Sequence, residues 1–136
     1  MNSVPLEVRD YMTANVVTVS PQDEIAVAMK LMIEHDVSGL VVVDSGDHVV
    51  GVITERDGIA AATSAGYFEE WGGPVSEYMS SPVDCVAPGE NLIDVATRMI
   101  ESKYRRFPVV ESGRLVGVLM RRDVLRALDN GSWFRR

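Results

Sequence analysis

In 136 residues the chain has one cysteine, Cys85, and two histidines, His35 and His48. A single cysteine excludes an internal disulfide. Cysteine-based zinc is excluded too, since a closed structural site needs four nitrogen or sulfur ligands. A lone cysteine with two scattered histidines is more often structural than a nucleophile with its base. No apolar run approaches the ~20 residues that span a bilayer. Residues 1–10 show no basic stretch followed by an apolar one, so no signal peptide and no membrane insertion are expected, and the cytoplasm is the expected compartment. No Gly-Lys-Ser/Thr occurs, which rules out a Walker phosphate loop. Paired carboxylates, metal-ligand clusters and nucleophile-base constellations are also missing from convergent positions. Catalysis is therefore not expected, and neither a metal nor a resident cofactor is implied.

The chain otherwise has the make-up of one ordinary globular protein, 46% hydrophobic and 24% charged. Its net charge of −7 is unevenly spread. Residues 1–74 carry 3 basic and 12 acidic side chains, a balance of −9, whereas residues 75–136 carry 10 and 8, a balance of +2. An acidic chain is a poor general nucleic-acid binder, because phosphate contacts need Lys and Arg on a shared face. The second half retains enough cations to hold a small phosphate.

The sequence repeats itself. Tyr11-Met12 recurs as Tyr78-Met79, and at the same shift of 67 Val16, Val19 and Pro21 fall on Val83, Val86 and Pro88. Met32-Ile33-Glu34 and Val42-Val43 fall on Met99-Ile100-Glu101 and Val109-Val110. One residue is then lost in a turn, and at a shift of 66 Val50-Gly51-Val52 and Arg56-Asp57 fall on Val116-Gly117-Val118 and Arg122-Asp123.

Each copy predicts the order β-α-β-β-α. Val16–Val19 is a β-branched strand candidate. Ser20-Pro21-Gln22-Asp23 then opens a helix, with Ser as N-cap, Pro at the first helical position and Asp three residues after the cap. Ile25, Ala28, Met29 and Met32 form one apolar helical face, and Leu92, Val95, Ala96 and Met99 repeat it. Because Ala87 replaces the capping serine, the second helix is expected to start less firmly. Leu40–Val43 with Val49–Ile53, and Phe107–Val110 with Leu115–Leu119, read as hairpins around Asp44-Ser45-Gly46-Asp47 and a tighter Glu111-Ser112-Gly113-Arg114. Their continuous apolar runs predict strands buried on both faces. Closing helices are expected near Glu55–Ser64 and Arg121–Asp129. The expected organisation is thus an α/β fold with repeat 1 over 8–65, a linker over 66–74, repeat 2 over 75–130 and a tail over 131–136. One three-stranded sheet with two helices is marginal alone, so the copies are expected to pack as one globular module.

This order of elements, with Gly51-Val52-Ile53-Thr54-Glu55-Arg56-Asp57 and Arg105-Arg106-Phe107-Pro108-Val109-Val110, resembles a tandem pair of CBS domains, or Bateman module. The resemblance covers residues 8–57 and 75–123. It implies two pseudo-symmetric halves with clefts that bind adenosine ligands such as AMP, ADP, ATP or S-adenosylmethionine. It also implies association into a homodimer through helices. Carried over residue by residue, it places Thr54 and Asp57 opposite Val83, Asp84, Arg105, Arg106 and Pro108.

Chemistry supports that set. Asp57 is an acceptor suited to a ribose diol. Thr54 offers a hydroxyl at a helix start, where an anion is favoured. The guanidinium groups of Arg105 and Arg106 can meet phosphate oxygens bidentately. Arg56 and Arg122 add positive field, and Val52 and Val83 offer apolar walls to adenine. Each feature has a plainer reading beside this one. Thr54 to Asp57 is also a capping box, Arg105-Arg106 is also a strand edge facing water, and Asp84 either accepts from the adenine amino group or faces solvent. The regularly spaced methionines read as core.

The second cleft would use Val17, Ser38 and Asp123, and is expected to be empty or weak. Met120 stands where Thr54 would be and cannot cap the helix, and Ser38-Gly39 replaces the two arginines. The expected function is a regulatory adenosine-nucleotide sensor, acting through conformation or assembly on an effector protein that the sequence does not name. A ligand-free structural module that dimerises or docks a partner, with Trp133-Phe134 as one contact, is the alternative.

Overall fold

The computed structural model describes residues 6–65, 72–102 and 104–131. Two sequence expectations therefore fall largely outside the described residues: most of the linker, 66–71, and the tail around Trp133-Phe134, 132–136. The chain forms two compact units. One is continuous, Val17–Val83. The other is split, and its described residues are 6–16, 84–102 and 104–131. No described helix is long and apolar enough to cross a membrane.

In the continuous unit the β-branched run yields a strand of only two residues, β1 (Thr18–Val19). It lies parallel to β2 (Gly39–Val43), which pairs antiparallel with β3 (Val49–Thr54) in the order β1-β2-β3. Helix α1 (Ile25–His35) crosses between β1 and β2, burying Ile25, Ala28 and Met32 at the predicted spacing. Helix α2 (Glu55–Ala65) follows β3 directly. Their core gathers Val19, Ile25, Ala28, Met32, Leu40, Val42, Ile53 and Val75. Strand β2 is buried along Leu40–Val43, as its apolar run predicts, but β3 buries only Gly51 and Ile53, every second residue. β3 thus has one core face, not two.

The split unit repeats this with helix α3 (Leu92–Glu101), the hairpin β4 (Arg106–Glu111) and β5 (Arg114–Met120), and helix α4 (Arg121–Asp129). Its tight turn places Ser112 and Gly113 at φ of 53° and 81°, the paired positive values that a two-residue hairpin favours. The expected third strand is here only a bridge, Val86 beside Val109, the counterpart of Val19 beside Val42. Asp84-Cys85 stands where the first copy has Val17-Thr18, and Asp is a poor strand former.

Both helix starts differ from expectation. Ser20–Asp23 is not the first turn of α1 but a closed turn before it. The Ser20 amide donates to Asp23 Oδ2 at 2.9 Å, and Gln22 N–H donates to Ser20 Oγ at 3.3 Å. Helix α1 begins at Ile25 after Glu24, whose side chain caps nothing and accepts instead from Gly73 N–H at 3.0 Å. Helix α3 begins after Asn91, whose Oδ1 accepts from Asp94 N–H at 3.1 Å. The second helix is therefore the better capped. The missing serine at Ala87 matters little, because the cap is four residues later.

The packing units exchange the leading segments of the sequence repeats. A 3-10 turn at Val8–Asp10 opens the first copy yet docks on the second, with Val8 N–H to Glu90 O at 3.0 Å and Arg9 N–H to Pro88 O at 2.9 Å. Its counterpart at Val75–Glu77 docks on the first copy through Val75 N–H to Asp23 O and Ser76 N–H to Pro21 O. Val8 and Val75 are both fully buried, each worth about 1.5–3 kcal/mol of apolar burial. Thr13 then bridges Val118, and Ser80 bridges Val52. Glycine at 51 and 117 permits this close approach. A Cβ on Gly117 would lie 2.9 Å from Thr13 O and 2.8 Å from Met12 Sδ, and one on Gly51 would meet Met79 and lie 3.1 Å from Ser80 O. The recurring Tyr-Met and Val-Gly-Val motifs are thus two sides of one contact, made once in each unit.

Candidate functional site

In the continuous unit the site residues sit where β3 becomes α2. Thr54 and Asp57 form the capping box that the sequence allows. Asp57 Oδ2 accepts from the Thr54 amide at 2.8 Å and from Thr54 Oγ1 at 3.0 Å, and Asp57 N–H donates to Thr54 Oγ1 at 3.2 Å. Oδ1 of Asp57 accepts no hydrogen bond from any described residue. The cap therefore orients the half-buried carboxylate and leaves one oxygen for a ligand donor. Arg56 is exposed, and Val17, Ser38 and Val83 are half-buried. The Ser38 carbonyl accepts from Glu55 N–H at 2.9 Å, closing the strand pair beside the helix start.

The corresponding turn of the split unit is built differently. Asp123 is 1% exposed, the one buried polar side chain among the described residues. Its Oδ2 accepts from Met120 N–H at 2.8 Å, so the helix start is tied down although Met120 has no hydroxyl. Its Oδ1 accepts from Arg126 Nη2 at 2.8 Å and from Thr13 Oγ1 at 3.2 Å. Arg126 also donates to Tyr11 O at 2.9 Å and lies over the Tyr11 ring at 5.8 Å. Both oxygens of Asp123 are thus committed to protein donors, whereas Asp57 commits one.

Arg105 and Arg106 stand at the start of β4, Arg105 exposed and Arg106 half-buried, and Pro108 is buried within the strand. The Arg121 amide donates to Arg105 O at 3.3 Å, and Arg106 pairs with Met120, so Arg121 and Arg122 flank the same end of the hairpin. Asp84 neither faces water alone nor lacks a partner, because its Oδ1 accepts from Arg98 Nη2 at 2.8 Å. Arg98 also reaches Glu90 at 3.3 Å and lies over the Phe107 ring at 5.2 Å. Cys85 is half-buried, and burial raises its thiol pKa, with the Asp84 charge adding to the rise, so it is held as the unreactive thiol.

Thr13, Arg98 and Arg126 were not legible as members of these networks. Only Thr13 carried a signal, since its repeat partner Ser80 also bears a hydroxyl.

The sequence model of the CBS domain matches residues 8–63 and again 75–130. The chain belongs to the CBS domain family. The two CBS matches hold all the site residues above. Among relatives, an uncharacterized 17.7 kDa protein of Acidianus ambivalens is 37% identical over 90% of this chain and 73% of its own length. The crystal structure of CBSX2 in complex with AMP has 32% identity and a TM-score of 0.84, covering 93% of this chain and 98% of that one; CBSX2 is a chloroplastic protein of Arabidopsis thaliana. The CBS domain pair of protein MJ0100, solved with 5′-methylthioadenosine and S-adenosylmethionine, has 26% identity and a TM-score of 0.80, covering 93% and 98%. The chain is accordingly an α/β CBS pair with two repeats, and proteins of its family bind adenosine ligands.

Proposed function

We propose that this chain is a non-catalytic regulatory module that binds an adenosine nucleotide. In this reading Asp57 accepts the ribose diol, Thr54 and Arg56 attend it, and Arg105, Arg106 and Arg122 take the phosphate. Val83 and Pro108 flank the base, and Asp84 offers it the oxygen not bonded to Arg98. The observation that carries the reading is the unoccupied Oδ1 of Asp57, an acceptor held in place by its own helix cap. A relative with AMP bound at 32% identity supports the ligand class. The second set, Val17, Ser38 and Asp123, takes ligand weakly or not at all, because Asp123 has no oxygen to spare.

Signalling requires only that the nucleotide prefer one of two arrangements of the module, the difference in affinity being the coupling energy. An effector protein would read that difference. Isothermal titration with AMP, ADP, ATP and S-adenosylmethionine tests the reading. Heat that saturates with at least one of them is expected, and no heat with any of them would refute it.

Assembly into a homodimer belongs to the same proposal. Large apolar side chains are exposed at matching positions of the two copies: Ile33 and Ile100 at 80% and 83%, and Ile59 and Leu125 at 64% and 62%. Recurrence in the register of the duplication fits a helical surface covered by a second copy. Sedimentation should show a dimer, and Ile59→Asp with Leu125→Asp should shift it to monomer. A monomeric parent chain would exclude this assembly.

A further inference from the structure

We propose that the arginine cluster at the open end of the β4–β5 hairpin selects a ligand carrying two or more phosphates. The identity of the ligand's base rests on the adenosine reading above, but the phosphate class does not. Arg105, just before β4, is joined to Arg121, the first residue of α4, by the 3.3 Å bond from Arg121 N–H to Arg105 O, beside the last rung of the hairpin, Arg106 opposite Met120. Cations carried on neighbouring backbone without a counter-charge repel one another. Arg105, Arg121 and Arg122 are all exposed, and none of the three has an ion-pair partner among the described residues. The nearby carboxylate, Asp123, is buried and spent on Arg126.

The duplication supplies an internal control. The same rung of the continuous unit is closed by the same bond, Glu55 N–H to Ser38 O at 2.9 Å, with serine opposite glutamate. The fold therefore does not require cations at this rung. Uncompensated cations in one copy, at positions where the other copy has serine and glutamate, fit a functional role better than a structural one. Arginines gathered at one end of the hairpin offer forked donors that suit a short run of phosphates. They oppose a sulfonium, which is itself cationic. A long nucleic-acid backbone would also meet a chain of net charge −7.

The test is calorimetric titration of the full chain with orthophosphate, tripolyphosphate, AMP, ADP, ATP and S-adenosylmethionine. Affinity should rise about tenfold per added phosphate, one charge-assisted contact each. Tripolyphosphate should bind far more tightly than orthophosphate. Arg105→Ser with Arg121→Glu installs the pair that the other copy already carries, and should lower the ATP-to-AMP affinity ratio by at least about tenfold. Arg122→Gln, at an exposed helix position, gives a second reading of the same ratio should the double variant not fold. AMP binding as tightly as ATP, S-adenosylmethionine binding more tightly than ATP, or an unchanged ratio in the folded variant would overturn the proposal. Equal binding of AMP and ATP would overturn it while leaving the adenosine reading intact. Tripolyphosphate binding with no adenosine ligand would do the reverse. Duplex DNA outcompeting tripolyphosphate would overturn it in favour of nucleic acid.

Discussion

The Thr13 hydroxyl donates to the Asp123 carboxylate at 3.2 Å across a separation of 110 residues. In the other copy the aspartate takes its hydroxyl from Thr54, three residues away. The two turns therefore satisfy equivalent aspartates from different sources, one local and one borrowed from the exchanged leading segment. Asp123 is a structural carboxylate, and Asp57 keeps an oxygen in reserve.

Stability should separate them. Asp123→Ala loses the bond to the Met120 amide, the Thr13 bond and the Arg126 pair from a buried position, and should cost about 2–3 kcal/mol. Asp57→Ala loses a half-buried cap and should cost about 1 kcal/mol. Thr13→Val should cost about 1 kcal/mol in the parent and much less on top of Asp123→Ala, since the two share one bond. Urea denaturation of the parent, the three single variants and the double variant measures the set. Additive losses for Thr13 and Asp123 would show that the bond contributes nothing.

Gly117→Ala should destabilise by roughly 1–3 kcal/mol, because its Cβ would press on the backbone oxygen of Thr13 as well as on Met12. Hydrogen exchange should show the added opening at Met12 and Thr13 before the helices α3 and α4. A neutral substitution would mean that the leading segment is not seated on β5.

The hairpin turn of the continuous unit carries a pH dependence. Asp44 is held below its ordinary pKa, first by the His48 backbone N–H and then by the Gly46 N–H and the His48 ring, which together outweigh the opposing desolvation. A carboxylate with a lowered folded pKa adds stability above its unfolded value, 3.8, and that stability is lost as pH falls through the folded one. The parent should therefore lose more stability than Asp44→Asn between mildly acidic pH and the region below 3.8. Parallel curves for the two would contradict the assignment.

Much of the fold was legible because the repeat carried it. Matched residues such as Gly51 and Gly117, and the helical faces of Ile25-Ala28-Met32 and Leu92-Val95-Met99, fix the elements without any long-range knowledge. The exchange of leading segments was not legible, because Val8 satisfies its amide on Glu90 and no local pattern announces so distant a partner. The start of α1 was misplaced for a local reason. Ser20-Pro21-Gln22-Asp23 closes a turn with the same residues that would cap a helix. The capping box of Thr54 and Asp57 was legible, but the commitment of Asp123 was not, since it depends on Thr13 and Arg126 folding onto it.

The difference between the two aspartates is most directly tested by the stoichiometry of ATP binding to the parent chain, Asp57→Ala and Asp123→Ala, each confirmed folded, by isothermal titration. The parent should bind one ATP per chain. Asp57→Ala should lose at least about a hundredfold in affinity, two hydrogen bonds' worth, and Asp123→Ala should still bind one ATP within about threefold of the parent. Two ATP per chain, or equal losses from the two substitutions, would contradict the account.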